Sequence, residues 1–141
     1  MNKQGPIIII EDDKDDREIL LEVFKKLGYK NIITHCSDGQ EALNFLLDNN
    51  EIPFLILSDI NMPKLSGLEL REIIQRNDDL RMKCVPFIFF TTATSKKSVW
   101  DAYALSVQGF FIKPISFKEL ENTIKRIVDY WLDCKSPGDY L

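Results

Sequence analysis

Two apolar runs end abruptly in acidic residues, and that coincidence limits what the chain can fold into. Ile7-Ile8-Ile9-Ile10 is followed by Glu11-Asp12, and Leu55-Ile56-Leu57-Ser58 by Asp59. Neither run alternates polar with apolar, as a strand with one wet face does. Both read as strands buried on two faces, the habit of parallel sheets covered by helices on either side. A carboxylate placed directly after such a strand sits where strand gives way to loop, and in open parallel sheets that edge is where ligands bind. A solitary Asp there is more often a turn former. What lifts Asp59 above that reading is the set of residues at the other strand ends.

The pattern between and beyond these runs is regular. Ile19, Leu20, Val23, Phe24 and Leu27 recur at helical spacing, with Gly28 as C-cap. Residues 31–36 read as a second, shorter strand. Ser37-Asp38-Gly39 opens a helix bearing Ala42, Leu43, Phe45, Leu46 and Leu47, and residues 48–53 form a loop. After the third strand, residues 54–58, the chain turns at Asn61, Pro63 and Ser66-Gly67 into a helix from about Gly67 to Arg76. A polar connector runs to Lys83. Residues 86–91 give a fourth strand ending in hydroxyls, Thr91 and Thr92, and Lys97 to about Leu105 a helix with Val99, Trp100 and Tyr103. Gly109 to Ile112 is the fifth strand, closed by Lys113-Pro114. The last helix opens with a capping box, Ser116 and Glu119, and shows an apolar face of Leu120, Ile124, Ile127, Val128 and Trp131. The tail, residues 136–141, predicts no structure.

Five β-α repeats with crossovers long enough for helices imply right-handed units and a three-layer α/β sandwich around a parallel five-stranded sheet. The 141 residues predict one domain, with a core of about residues 7–132 and a C-terminal tail over 133–141. No apolar run approaches the roughly 20 residues of a membrane helix. The start MNKQGP has no signal-peptide pattern, so a cytoplasmic protein is expected. Cys36, Cys84 and Cys134 are odd in number and widely spaced, which argues against a disulfide framework or zinc site. His35 stands without a second His or a CxxC and reads as structural. Residues 11–18 (EDDKDDRE) carry the whole net charge of −4, leaving the remainder neutral and without the basic stripe that a nucleic-acid surface needs.

The strand ends taken together are Glu11 and Asp12, Asp59, Thr91 and Lys113, all on one edge of the sheet. Converging carboxylates repel and push one pKa upward, and a hard divalent ion resolves that repulsion. Mg²⁺ suits an oxygen-only site that keeps several waters and shares a phosphate oxygen. A lysine and a hydroxyl facing the ion complete a site for a tetrahedral anion.

In these positions the chain resembles the receiver domains of two-component response regulators, and is similar to the single-domain chemotaxis regulator. The resemblance spans about Ile7 to Leu132 and implies the flavodoxin-like strand order 2-1-3-4-5. It implies that Asp59 is the phosphoacceptor, that Asp12 binds the metal directly, that Glu11 does so directly or through water, and that Asn61 offers its main-chain carbonyl. Thr91 would bond the phosphoryl group and Lys113 neutralise it; Phe110 falls at the aromatic switch position, and Lys113-Pro114 at a pair often joined by a cis bond. Phosphorylation by a sensor histidine kinase or a histidine phosphotransfer protein would draw Thr91 toward the phosphoryl oxygens. Phe110 would then turn inward, remodelling the surface of fourth helix, fifth strand and last helix for a protein effector or a homodimer. Residues 77–83 and FTTATSKKS also look like small regulators that partner bacterial phytochromes.

Departures sharpen these expectations. Ser66 stands before Gly67 where Asp is common, and the branched Thr92 follows Thr91 where Ala or Gly is common. Ala93 cannot orient a hydrolytic water, which predicts a long-lived phosphoryl group. Several rivals stand beside this reading, among them a flavin carrier, which would want a hydroxyl- and glycine-rich phosphate loop where the acids Glu11 and Asp12 stand. A phosphorelay intermediate fits the same residues. A haloacid-dehalogenase-type phosphatase, using Mg²⁺ and an Asp nucleophile, needs a second acid where Asn61 stands. A Toprim-like enzyme needs a similar pair of acids and a basic surface. A pseudo-receiver would not need Asp59, Asp12, Thr91 and Lys113 together. A signalling switch rather than an enzyme is expected.

Overall fold

The structure, a computed structural model, describes residues 2–48, 50–92 and 95–140. Its five strands are β1 (Ile7–Ile10), β2 (Ile33–Cys36), β3 (Leu55–Ser58), β4 (Phe87–Thr91) and β5 (Gly109–Ile112). All pair in parallel, in the order β2-β1-β3-β4-β5. The helices are α1 (Lys14–Leu27), α2 (Gly39–Asp48), α3 (Gly67–Arg76), α4 (Asp78–Arg81), α5 (Lys96–Ala104) and α6 (Phe117–Asp133).

Side-chain alternation sorts the strands into two apolar layers. Ile7, Ile9, Leu55, Leu57, Ile88 and Phe90 meet the inward faces of α1 and α6. Ile8, Ile10, Ile56, Phe87 and Phe89 meet α2, α3 and α5. Since both faces are covered, the runs need no polar member: all four residues of β1 are at most 1% exposed. Each such side chain contributes about 1.5–3 kcal/mol by leaving water. Register then decides what the strand ends carry. Ile10 is level with Cys36 and with Ser58, so Glu11 and Asp59 emerge side by side. Phe89 is level with Ser58, so Thr91 stands two residues further along.

Local chemistry accounts for the differences from the sequence reading. The second strand begins at Ile33; just before it the Asn31 side-chain amide, in place of a backbone ladder, ties the chain to the carbonyls of Lys3 and Gly5, at 2.9 and 2.7 Å. The polar connector contains a helical turn, α4, whose N-cap Asn77 accepts from the Leu80 N–H and whose Leu80 is buried. The tail is not structureless: Pro137–Tyr140 form a 3₁₀ turn closed by the Asp139 carboxylate on the Ser136 N–H, at 2.7 Å. Ile19 and Leu47 lie off the apolar stripes of their helices, 41% and 55% exposed. Ser116 caps α6 through the Glu119 N–H without a return bond among the described residues; the reciprocal capping box belongs to Ser66 and Glu69 of α3. The Gly28 C-cap is left-handed, φ 73°. All peptide bonds among the described residues are trans, including Lys113-Pro114, the isomer that X–Pro amides intrinsically favour.

Candidate functional site

Every candidate residue at a strand end lies on the carboxyl-terminal edge of the sheet. Asp59 is held by its backbone and by one carboxylate oxygen. Its N–H donates to the Ile10 carbonyl at 3.0 Å, so it still belongs to the sheet. Its Oδ1 accepts from the Ile60 N–H at 2.7 Å and from the Thr91 hydroxyl at 2.6 Å. Its Oδ2 takes neither bond and instead faces the Lys113 ammonium at 3.3 Å. One oxygen fixes the rotamer and the other is presented.

Lys113 extends from the end of β5, its own N–H bonded to the Thr91 carbonyl at 2.9 Å. Its Nζ bonds to Glu11 and lies 3.2 Å from Asp16 and 3.3 Å from Asp59. Burial works against the charge on this ammonium, but the Glu11 bond and the charges of Asp59, Glu11 and Asp16 outweigh it and hold the pKa above the usual lysine value. Glu11, 1% exposed, is pushed up to about 7, chiefly by burial, with Asp59 adding to the rise and Lys113 opposing it. Its other oxygen accepts from the Asp13 N–H at 3.1 Å. Asp13 caps α1, and Asp12, between them, is exposed. Carboxylate oxygens of Glu11, Asp12 and Asp59 all lie within 4.8 Å of one another.

Asp16 is the residue that sequence reasoning missed. Within EDDKDDRE it reads as one more solvated acid at a helix start, favoured there by the helix dipole. The available signal was position: Asp16 lies three residues past the N-cap Asp13, whose carboxylate accepts from the Asp16 N–H at 2.9 Å, so it stays in the first turn, beside the strand ends. His35 is structural, its Nε2 lying 3.1 Å from the Glu11 carbonyl and 3.3 Å from Arg17.

The loop after Asp59 is tied at its base. The Gly67 N–H donates to the Ile60 carbonyl at 2.8 Å, and a Cβ on Gly67 would stand 2.2 Å from the Asp59 carbonyl oxygen. Within the loop Lys64 is left-handed, φ 65°, its ammonium 3.6 Å from Asp38. Asn61 is exposed on the same loop, away from the direct contacts of Lys113. Phe110 is half-buried in the layer of α2, α3 and α5, its ring centroid 6.0 Å from that of Phe89. Ala93 lies outside the described residues.

Two apolar surfaces flank the acids. A groove of about 380 Å³ runs beside Lys113 between Ile19, Thr92, Pro114, Ile115 and Phe117. On α5, Trp100 and Tyr103 are 68% and 55% exposed, with Ile112 of β5 at 48%. Trp131, by contrast, packs partly into the core. No helix among the described residues is long and apolar enough to cross a membrane.

Comparison with known proteins meets this geometry from outside. Residues 7–125 match the response regulator receiver domain family. The chain is 32% identical to response regulator Rcp1 of Synechocystis sp. over 94% of its own length and 92% of that protein's. It is also 32% identical to the probable methanogenesis regulatory protein FilR2 of Methanothrix harundinacea, over 94% and 87%. Among solved structures it is similar to the Mn(2+)-bound form of response regulator Rcp1, with 30% identity, a TM-score of 0.81 and coverage of 94% and 97%. The phosphorylated cyanobacterial phytochrome response regulator RcpA gives 25%, 0.84, and coverage of 94% and 96%.

Proposed function

Because the chain belongs to the response regulator receiver domain family, whose members are phosphorylation-activated switches of two-component signalling rather than ordinary enzymes, we propose that Asp59 is its phosphoacceptor. The observation that carries this reading is the division of labour on one carboxylate: Oδ1 is held by Ile60 and Thr91, and Oδ2 is offered toward Lys113. Oδ2 attacks the phosphorus of a phosphohistidine, the P–N bond breaks, and its electron pair returns to the imidazole. The product is an aspartyl phosphate.

Receiver domains hold Mg²⁺ in an acidic pocket, and the donors here fit it: three clustered carboxylates, all hard oxygen ligands. Asp12, Asp59 and the main-chain carbonyl of Asn61 would hold the ion, with Glu11 acting directly or through water. When bound it would supply positive charge that offsets the negative charge of the incoming phosphoryl group. Lys113 supplies the rest from the chain itself, and Asp16 orients that ammonium. The phosphohistidine would come from a sensor histidine kinase or a histidine phosphotransfer protein, docking across the groove of Ile19, Ile115 and Phe117.

Transmission begins at the Thr91 hydroxyl, which bonds to the Asp59 carboxylate and would transfer to a phosphoryl oxygen after the reaction. Phe110, already half inside, then completes its turn, and the exposed face of α5 and β5 with α6 changes for an effector or a second copy. The chain acts as one receiver unit over residues 1–141. The phosphoryl group is long-lived because Ala93 provides no water-orienting side chain, and Ala93→Glu shortens its lifetime.

Incubation with a small phosphodonor and Mg²⁺, read by intact mass, tests the assignment. Wild type should gain one phosphoryl group that hydroxylamine removes, and Asp59→Asn should gain none. A labile adduct that persists in Asp59→Asn would overturn it.

A further inference from the structure

The opposite edge of the sheet carries a cleft that the phosphorylation chemistry does not use. It lies where β4 and β5 begin, between the ends of α2 and α3, α4, and the chain leaving α6, with a volume of about 400 Å³. Its charged lining residues are Arg71, Arg81, Lys83 and Lys135, with no Asp or Glu among the described residues that line it. In a chain of net charge −4 that is a concentrated reversal of sign.

Arg71 is the unusual member. It is 4% exposed, and its guanidinium donates to two main-chain carbonyls, Leu105 at 3.0 Å and Ser106 at 2.8 Å, while lying over the Phe87 ring at 5.5 Å. No carboxylate pairs with it among the described ion pairs, and burial alone pulls it down to about 10. A buried charge satisfied by dipoles but not by a counter-charge favours an anion nearby. Three guanidinium N–H groups remain beyond the two bonded to carbonyls, in the planar fork that matches phosphate. Arg81, half exposed and paired with Asp78, stands at the rim with Lys83 and Lys135.

We propose that this cleft binds an organic phosphate of nucleotide size. Cations alone would suit any anion, but the wall also has an apolar side, including Ile56, Ile74, Leu80 and Pro86, with the half-buried Trp131 as a flat surface for a planar body and Gln75 and Gln108 as polar groups beside it. The volume lies within the roughly 300–1,000 Å³ of small-molecule sites and exceeds what a bare inorganic anion fills. A ligand gripping Arg71 also reaches Ser106, left-handed at φ 58°, in the turn that leads into β5.

The test is amide-resolved NMR titration of the intact protein with AMP, with adenosine and inorganic phosphate as separate arms. AMP should shift Ser106, Gln108 and the Trp131 indole saturably, with each half-ligand weaker by about tenfold or more, since sign and apolar contact are both required. Arg71→Met removes the floor but also strands two carbonyls, so the rim carries the decisive variant. Arg81→Glu combined with Lys135→Glu should weaken AMP by about tenfold or more while leaving the spectrum folded. Shifts confined to Asp12 and Asp59, no saturation, phosphate binding as tightly as AMP, or indifference to the rim reversals would each overturn the proposal.

Discussion

Lys113 and Arg71 are both buried cations, and they sit at opposite edges of one sheet in opposite electrostatic circumstances. Lys113 is surrounded by the carboxylates of Glu11, Asp16 and Asp59, which hold its charge firmly. Arg71 has two carbonyls and a ring, and its burial erodes its affinity for the proton. A parallel sheet explains why such asymmetry arises so readily. All carboxyl-terminal strand ends converge on one edge, so acids following two neighbouring strands must meet, while loops entering the strands converge on the other. Each edge collects its charge independently.

The largest test of this contrast removes Lys113. Lys113→Ala leaves three acids facing one another, and in chelator it should lower stability by about 3–5 kcal/mol, the usual cost of stripping one partner from a buried ion pair. Mg²⁺ should then restore the variant by more than it stabilises wild type, as urea midpoints would register. Equal gains in both proteins would show that lysine and metal do not share a field. Arg71→Met should cost less, about 1–3 kcal/mol, because what it strands is carbonyl dipoles and not a counter-charge. A loss as large as that of Lys113→Ala would erase the distinction between the two cations.

Thiols provide the finest probe, since Cys36 and Cys84 stand at opposite edges. Cys36 ends β2, 2% exposed, and burial with the charges of Glu41 and Asp38 pushes it from 9.0 up to about 12. Cys84 is exposed and lines the cationic cleft. An anionic aromatic disulfide should therefore label Cys84 first, faster than a neutral reagent of equal size and with a rate that salt suppresses. Cys36 should react only on unfolding. Its raised pKa also sets a sign: the folded thiol keeps its proton longer than the unfolded one, so this contribution to stability is whole below pH 9 and declines as the pH rises toward 12. A midpoint that climbs through that range would contradict it.

Sequence patterns exposed the two edges unequally. Glu11, Asp12, Asp59, Thr91 and Lys113 are each adjacent to a buried strand, and a strand needs only its own apolar run to be recognised. Their convergence follows from topology. Asp16 escaped because its role depends on an ammonium arriving from 97 positions away, while its local setting is that of a solvated acid. Arg71 escaped for a similar reason: in Leu68-Glu69-Leu70-Arg71-Glu72 it occupies what looks like an ordinary polar helix position, and its carbonyl partners belong to a turn 34 and 35 residues later. The short helix α4 has a single buried residue, Leu80, too little for any periodicity to register. What a strand end presents was legible; what a distant segment brings to it was not.

The close contact of Gly67 with the Asp59 carbonyl draws the intervening loop closed at its neck. Met62 and Leu65 pack against the layer of α2, α3 and α5 and Ser66 caps α3, so the loop's exposed positions are Asn61, Pro63 and Lys64. Substitutions confined to those exposed positions should change what the loop offers a partner while leaving the Asp59 carboxylate in place, provided the glycine at the neck is kept.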